Sequence, residues 1–209
     1  MKKIELEYHA HSCFTLGVEG YRIVIDPYCT GMFPWLGELH LNAEEVLCTH
    51  GHGDHAHTAA VALEPKPCPV KLAVTRIPCA HDDHGGQKRG MNNLLLFEAE
   101  GLRAAHLGDI GFELTPEQKA PLFDLDALMI PVGGYYTIDA AQAAALAKEL
   151  RAKVIIPMHY CPGAFWEKDS VITTVSPFLA QFKDVTRLTG STVVVDGSEQ
   201  GVVLPAWPL

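Results

Sequence analysis

Apolar and polar residues alternate with a period of two near the start of the chain, the mark of strands with one buried face. Lys2–Glu7 alternates, Cys13–Leu16 follows, and Tyr21–Ile25 runs into Asp26-Pro27. Gly17 and Gly20 bracket a turn between the last two. Val46–Thr49 is a short apolar run that leads straight into CTHGHGDHAH at 48–57. Further strands are expected at Lys71–Arg76, Asn93–Phe97 and Leu102–His106, the last two flanking a hairpin-like AEG at 99–101. Asp126–Ile130 and Val154–Ile156 read as buried strands, and three more fall near 185–188, 192–195 and 202–204.

The helical period is rarer. Ile138–Leu150 is rich in Ala and Leu and predicts a helix. Thr115-Pro116-Glu117 reads as a helix start, with Thr as N-cap and Pro in the first turn. The alanine-rich stretch up to Leu63 predicts a helix stopped by Pro65 and Pro67, and another is expected near Pro177–Lys183. Residues 27–41 and 81–90 read as loops. Strands and helices mix throughout with no linker or low-complexity segment. The expectation is one α/β domain over residues 1–209.

Composition narrows the function classes. The chain has 209 residues, 48% of them hydrophobic, enough for a well-filled core. Its formal net charge of −9 argues against general nucleic-acid binding. No run of 18 apolar residues suggests a membrane span. The start lacks the apolar region of a secretory leader. The six cysteines show no CxxC spacing and read as reduced thiols. A cytoplasmic protein is therefore expected.

Four histidines and an aspartate within ten residues point to metal. His50 and His52, two apart on an extended segment, face the same side. Gly53 lets the chain turn before Asp54 and His55. Imidazole suits zinc and other first-row metals, and carboxylates widen the range. His57 sits just beyond and is expected to be a bystander.

THGHGDH resembles the HxHxDH signature of the metallo-β-lactamase superfamily, and its companions occur in order: His81 in PCAHDDHGG, Asp109 in HLGDIG and His159 in IPMHY. HSCF at 11–14, IDP at 25–27 and PVGG at 131–134 are similar to the lactonase-like branch of metal-dependent hydrolases, including ascorbate-6-phosphate lactonases. The resemblance implies an αββα sandwich of two mixed β-sheets flanked by helices. It implies two divalent ions, zinc first, with manganese, iron or nickel as alternatives. By the same resemblance His50, His52 and His81 hold one ion, Asp54, His55 and His159 the second, and Asp109 bridges them. His84 and His106 compete with His81 for the third place; His81 follows its apolar stretch in the expected order. The His-Pro-Gly-His-Thr run of the thioesterase branch is absent, and Ile110 stands where Thr is common.

The implied activity is hydrolysis of an ester or lactone in a small, polar or anionic metabolite by a metal-bridging hydroxide. A phosphodiesterase is the alternative, and a non-catalytic metal-binding protein a more distant one. Asp54, His11, His84 and Tyr136 are the candidate catalytic groups, with Asp82, Lys88 and Arg89 as candidate substrate contacts. Asp26 is expected to support the ligand loop, and Phe33 and Trp35 to wall the pocket or pack elsewhere. The expected partner is a small-molecule substrate, without nucleic acid or membrane; a homo-oligomer is left open.

Overall fold

The computed structural model describes residues 2–168 and 170–208. The strands, in chain order, are β1 (Ile4–Tyr8), β2 (Phe14–Val18), β3 (Tyr21–Ile25), β4 (Leu41–Ala43), β5 (Glu45–Leu47), β6 (Val61–Leu63) and β7 (Leu72–Ala80). They continue with β8 (Met91–Ala99), β9 (Leu102–His106), β10 (Ala127–Pro131), β11 (Val154–Met158), β12 (Val185–Arg187), β13 (Thr192–Val195) and β14 (Gly201–Leu204). The helices are α1 (Pro116–Lys119), α2 (Ala140–Leu150), α3 (Ala164–Glu167) and α4 (Ser176–Leu179).

Two mixed sheets face each other. One runs β13-β1-β2-β3-β5, the other β12-β14-β11-β10-β9-β8-β7. Period-two alternation divides each strand between two cores. In β10, Ala127 and Met129 join Leu6, Phe14, Ile23 and Phe97 between the sheets. Leu128 and Ile130 point the other way, against Ala143, Ala147 and Leu150 of α2 and Phe178 of α4. A strand with both faces covered reads as a continuous apolar run, as ALMIP does.

Helix α2 begins where the sequence dictates. The Asp139 carboxylate accepts from the N–H groups of Ala141 and Gln142 at 2.9 and 2.8 Å, and the Gln142 side chain accepts from the Asp139 N–H. Such a capping box is worth about 1 kcal/mol. Ala140, Ala143, Ala144 and Ala147 lie on the buried stripe, where small side chains bring the helix close to the sheet.

Two predicted helices differ from expectation. The alanine-rich stretch is a single 3₁₀ turn at Thr58–Ala60 followed by β6, which pairs in parallel with β4. Only Val61 is buried in it, so no apolar stripe exists to hold a helix, and strand pairing wins. The outer face of the five-stranded sheet is thus covered by loop residues such as Tyr28, Leu36 and Leu39 with this small sheet. The predicted helix at Pro177–Lys183 is only the one turn of α4; backbone bonds from Gln181 and Phe182 reach back three residues rather than four.

The strand order brings the site together. Strands β7, β9, β10 and β11 all run in the same direction, since β7 and β9 each pair antiparallel to β8. Strands β1, β3 and β5 do likewise in the other sheet. The segments after β1, β3, β5, β7, β9 and β11 carry His11, Asp26, His50 to His55, His81, Asp109 and His159 respectively. Open α/β sheets present ligand sites at such strand ends.

Candidate metal centre

Asp109 sits at the middle of the cluster, 2% exposed. Its Oδ2 lies 3.2 Å from His55 Nε2, 3.2 Å from His159 Nε2 and 3.4 Å from His81 Nε2. Around it the donors fall into groups whose ligand atoms lie within 4.8 Å of one another: His50, His52 and His81; His11, Asp54, His55 and His159; and His50, His55 and Asp109. All seven residues expected from the sequence to hold metal are therefore together, and His11 joins the second group. Its Nε2 is 3.2 Å from Asp54 Oδ2 and its ring lies 4.1 Å from that of His159.

The supporting hydrogen bonds point the lone pairs inward. Asp26 is fully buried and accepts from Thr49 N–H, from Thr49 Oγ1 and from His55 Nδ1 at 2.7, 2.7 and 2.8 Å. With one proton held on Nδ1 by Asp26, His55 has only its Nε2 proton to give up for that nitrogen to face a cation beside Asp109 as a lone pair. Thr49 Oγ1, having donated to Asp26, can accept from His50 Nδ1 at 3.0 Å, which leaves the lone pair on His50 Nε2, 3.1 Å from His52 Nδ1. Asn92 holds Asp109 by accepting from its N–H at 3.1 Å. Thr49 and Asn92 were not singled out from the sequence, because neither stands in a recognisable spacing with the atoms it orients.

The backbone is held in uncommon conformations at the same places. His11, Asp26 and His159 have φ of 54°, 49° and 53°. Left-handed backbone costs a non-glycine residue about 1–2 kcal/mol, and such costs collect at functional sites. At Gly108, φ is 53° and an added Cβ would strike Asn92 Oδ1 and the Thr49 side chain. The Gly-Asp of HLGDIG is thus a packing requirement as well as a motif.

The donor set fits a divalent cation. His11 Nδ1, His55 Nε2, His81 Nδ1, Asp109 Oδ1 and both ring nitrogens of His159 are buried without a hydrogen-bond partner. Each such atom would cost about 1–3 kcal/mol left alone, so a cluster of them signals an absent partner. Burial, then the neighbouring His55, pushes His50 down to about 3. Burial and His159 lower His11 to about 4, with Asp54 opposing. Burial also lowers His55, but Asp109 and Asp26 outweigh it and hold it well above the ordinary histidine value. Burial opposes the charge on Asp109, yet His159 and His55 keep it well below the usual carboxylate range. Asp109 is thus held ionised, His50 and His11 are held neutral, and His55 keeps a proton where a cation could stand.

Other expected residues take different places. His106 gives Nε2 to Ser12 O at 2.9 Å and accepts from Gly108 N–H at 3.1 Å, so it is a satisfied core histidine. His84, expected among the catalytic groups, is exposed and bonds to Asp83, and it is not among the residues lining the cavity over the cluster. Asp82, expected as a substrate contact, is buried. Its carboxylate is spent on the backbone N–H groups of His84, Gly86, Lys88 and Arg89. The trio Asp82, Asp83 and His84 is close enough to suggest a metal, but those four donors already satisfy Asp82. His57 joins none of the ligand groups; its N–H donates to Pro27 O. A cavity of about 360 Å³ opens on the cluster, lined by Met32, Phe33, His52, Asp54, His81, Asp109, Arg89 and Tyr136. Trp35 instead stacks on Phe33 and meets Trp166 of α3.

A two-sheet sandwich whose strand ends converge on histidines and aspartates defines a metal-binding hydrolase class. Residues 5–159 match the family described as the beta-lactamase superfamily domain. A UPF0173 metal-dependent hydrolase of Hyperthermus butylicus is 27% identical, over 90% of this chain and 95% of its own. One from Thermoplasma volcanium is 26% identical, over 96% and 99%. A solved structure from Thermotoga maritima, assigned as a Zn-dependent hydrolase of the metallo-β-lactamase superfamily, superimposes with a TM-score of 0.76 at 29% identity, covering 98% of this chain and 100% of that one. The chain belongs to the metallo-β-lactamase superfamily. Like these relatives it is a metal-dependent hydrolase. Among the described residues no helix is long and apolar enough to cross a membrane.

Proposed function

We propose that the chain is a dinuclear hydrolase, with zinc as the first choice of metal, that opens an ester or lactone bond in a small, polar or anionic metabolite. The observation that carries this reading is the placing of Asp109 between two ligand groups, within 3.4 Å of His55, His81 and His159. His50, His52 and His81 would hold one ion, and Asp54, His55 and His159 the other. Divalent ions there would supply Lewis acidity and bring the pKa of water near neutrality.

The protein's own groups set the rest. Asp54 reaches the cavity and keeps His11 at its back, 3.2 Å away. A proton received at Asp54 can pass to His11, which burial and His159 keep neutral until about pH 4. Tyr136 lines the same cavity and offers a hydroxyl to the substrate. The volume suits a small metabolite.

The test pairs metal analysis with a substrate panel. Zinc-loaded protein should carry about two ions per chain and hydrolyse members of a set of lactones and small esters. Turnover of bis-p-nitrophenyl phosphate with no lactone or ester activity would overturn the substrate assignment. A single ion per active chain would overturn the dinuclear one.

A further inference from the structure

Arg89 lines the cavity over the cluster and, among the described residues, has no carboxylate partner. Its guanidinium stands 5.5 Å from the ring centroid of Tyr136 and 6.0 Å from that of Tyr135. The neighbouring acid, Asp83, is engaged by His84 and Lys88. Among the described residues Arg89 makes no ion pair. In a chain of net charge −9, a half-buried arginine left unpaired beside a cavity keeps its donors for something else.

Its position is built. The segment 82–89 wraps the Asp82 carboxylate, which is 1% exposed and accepts four backbone N–H groups at 2.7 to 2.9 Å, the last from Arg89 itself. Gly85, Gly86 and Gly90 supply the positive φ that the wrap requires. The segment follows directly on His81, so the candidate metal ligand and the guanidinium are fixed relative to one another. From the other side the turn after Gly133-Gly134, with Tyr135 at φ 59°, presents two tyrosines edge to face at 4.7 Å. Tyr136 and Arg89 line the cavity together with Asp54, Asp109, His52 and His81.

We propose that Arg89, braced by Tyr136, is the specificity residue of this site and binds a carboxylate or phosphate group carried by the substrate away from the bond that is cleaved. This rests on the hydrolase reading and adds to it: the substrate is an anionic ester or lactone, held at one end by the guanidinium and at the other by the His/Asp cluster. Arginine serves better than lysine here because its planar fork gives two parallel hydrogen bonds to either anion while its charge stays within cation–π reach of the tyrosine ring.

Two measurements test it. The first compares kcat/KM for a matched pair of esters, one with a free carboxylate or phosphate and one with that group capped, in the zinc-loaded wild type, Arg89→Gln and Arg89→Lys. The anionic-to-capped ratio should fall about 10- to 100-fold in Arg89→Gln, mostly through KM, and recover in part in Arg89→Lys. An unchanged ratio would overturn the assignment. The second titrates ethyl phosphate and butyrate into wild type and Arg89→Gln by calorimetry, which needs no turnover. At least one anion should bind the wild type and bind the variant 10-fold or more weakly, and which one does so identifies the group. Equal binding to both proteins, or no binding to the wild type, would overturn the proposal. If neither ester is hydrolysed by the wild type, the proposed ester or lactone substrate fails while the titration still decides the role of Arg89.

Discussion

Asp26→Asn replaces a buried carboxylate by an amide of the same shape. The carboxylate accepts three hydrogen bonds: Thr49 N–H on Oδ1, and Thr49 Oγ1 and His55 Nδ1 on Oδ2. Asn keeps the first acceptor and sets an NH₂ against the other two donors. Bonds to a charged group are worth about 1.5–3 kcal/mol each, so losing two costs about 3–6 kcal/mol if nothing adapts. The Thr49 hydroxyl and the His55 tautomer can both turn, which leaves a net loss of about 2–4 kcal/mol. The turning matters more for function. His55 would then carry its proton on Nε2, the atom 3.2 Å from Asp109, and Thr49 would donate to His50 Nδ1 rather than accept from it. Two imidazoles would present N–H groups where lone pairs are needed, and metal affinity should drop about 10- to 100-fold. Urea unfolding of the metal-free protein gives the first quantity, and competition with a chelator of known affinity gives the second. A folded Asp26→Asn protein whose metal affinity stays within twofold of wild type would refute the tautomer argument.

His50→Ala and His159→Ala should each remove one ion by elemental analysis, the former emptying the His52/His81 group and the latter the Asp54/His55 group; equal loss of both ions from both variants would show a single centre. Gly108→Ala should destabilise the protein by about 2–4 kcal/mol, from left-handed backbone plus overlap with Asn92 and Thr49, and a melting temperature unchanged from wild type would refute it. For the metal-free protein, stability should fall as pH drops below about 6.5, the unfolded histidine value, because folding holds His50 and His11 neutral down to about 3 and 4. Above about 6.5 the sign reverses: His55 keeps in the folded state a proton that the unfolded chain releases, so its contribution fades as pH rises toward its raised value. Melting temperatures of chelator-treated protein across pH 4–9 should pass through a maximum near neutrality, and a monotonic profile would contradict this assignment of protons.

The chain itself determined much of the site. Each predicted ligand, His50, His52, Asp54, His55, His81, Asp109 and His159, stands just past an apolar run, and the strand order of the two sheets brings those run-ends to one edge. Local chemistry also fixed α2, whose cap and alanine stripe are written in thirteen consecutive residues. Tertiary structure decided the rest. It made the alanines after the histidine cluster a 3₁₀ turn and a strand, because β4 was there to pair with and no surface was there to receive a helical face. It gave the three competing histidines different surroundings: His81, which the order of motifs already puts first, lies by Asp109, His84 faces solvent, and His106 is consumed by Ser12 and Gly108. It turned Asp82 from a substrate contact into the hub of a loop, and brought His11 to Asp54 across 43 positions. Spacing along a strand or helix fixes which side chains share a face. Which proton a histidine carries, and what lies opposite an arginine, depend on neighbours that only folding supplies.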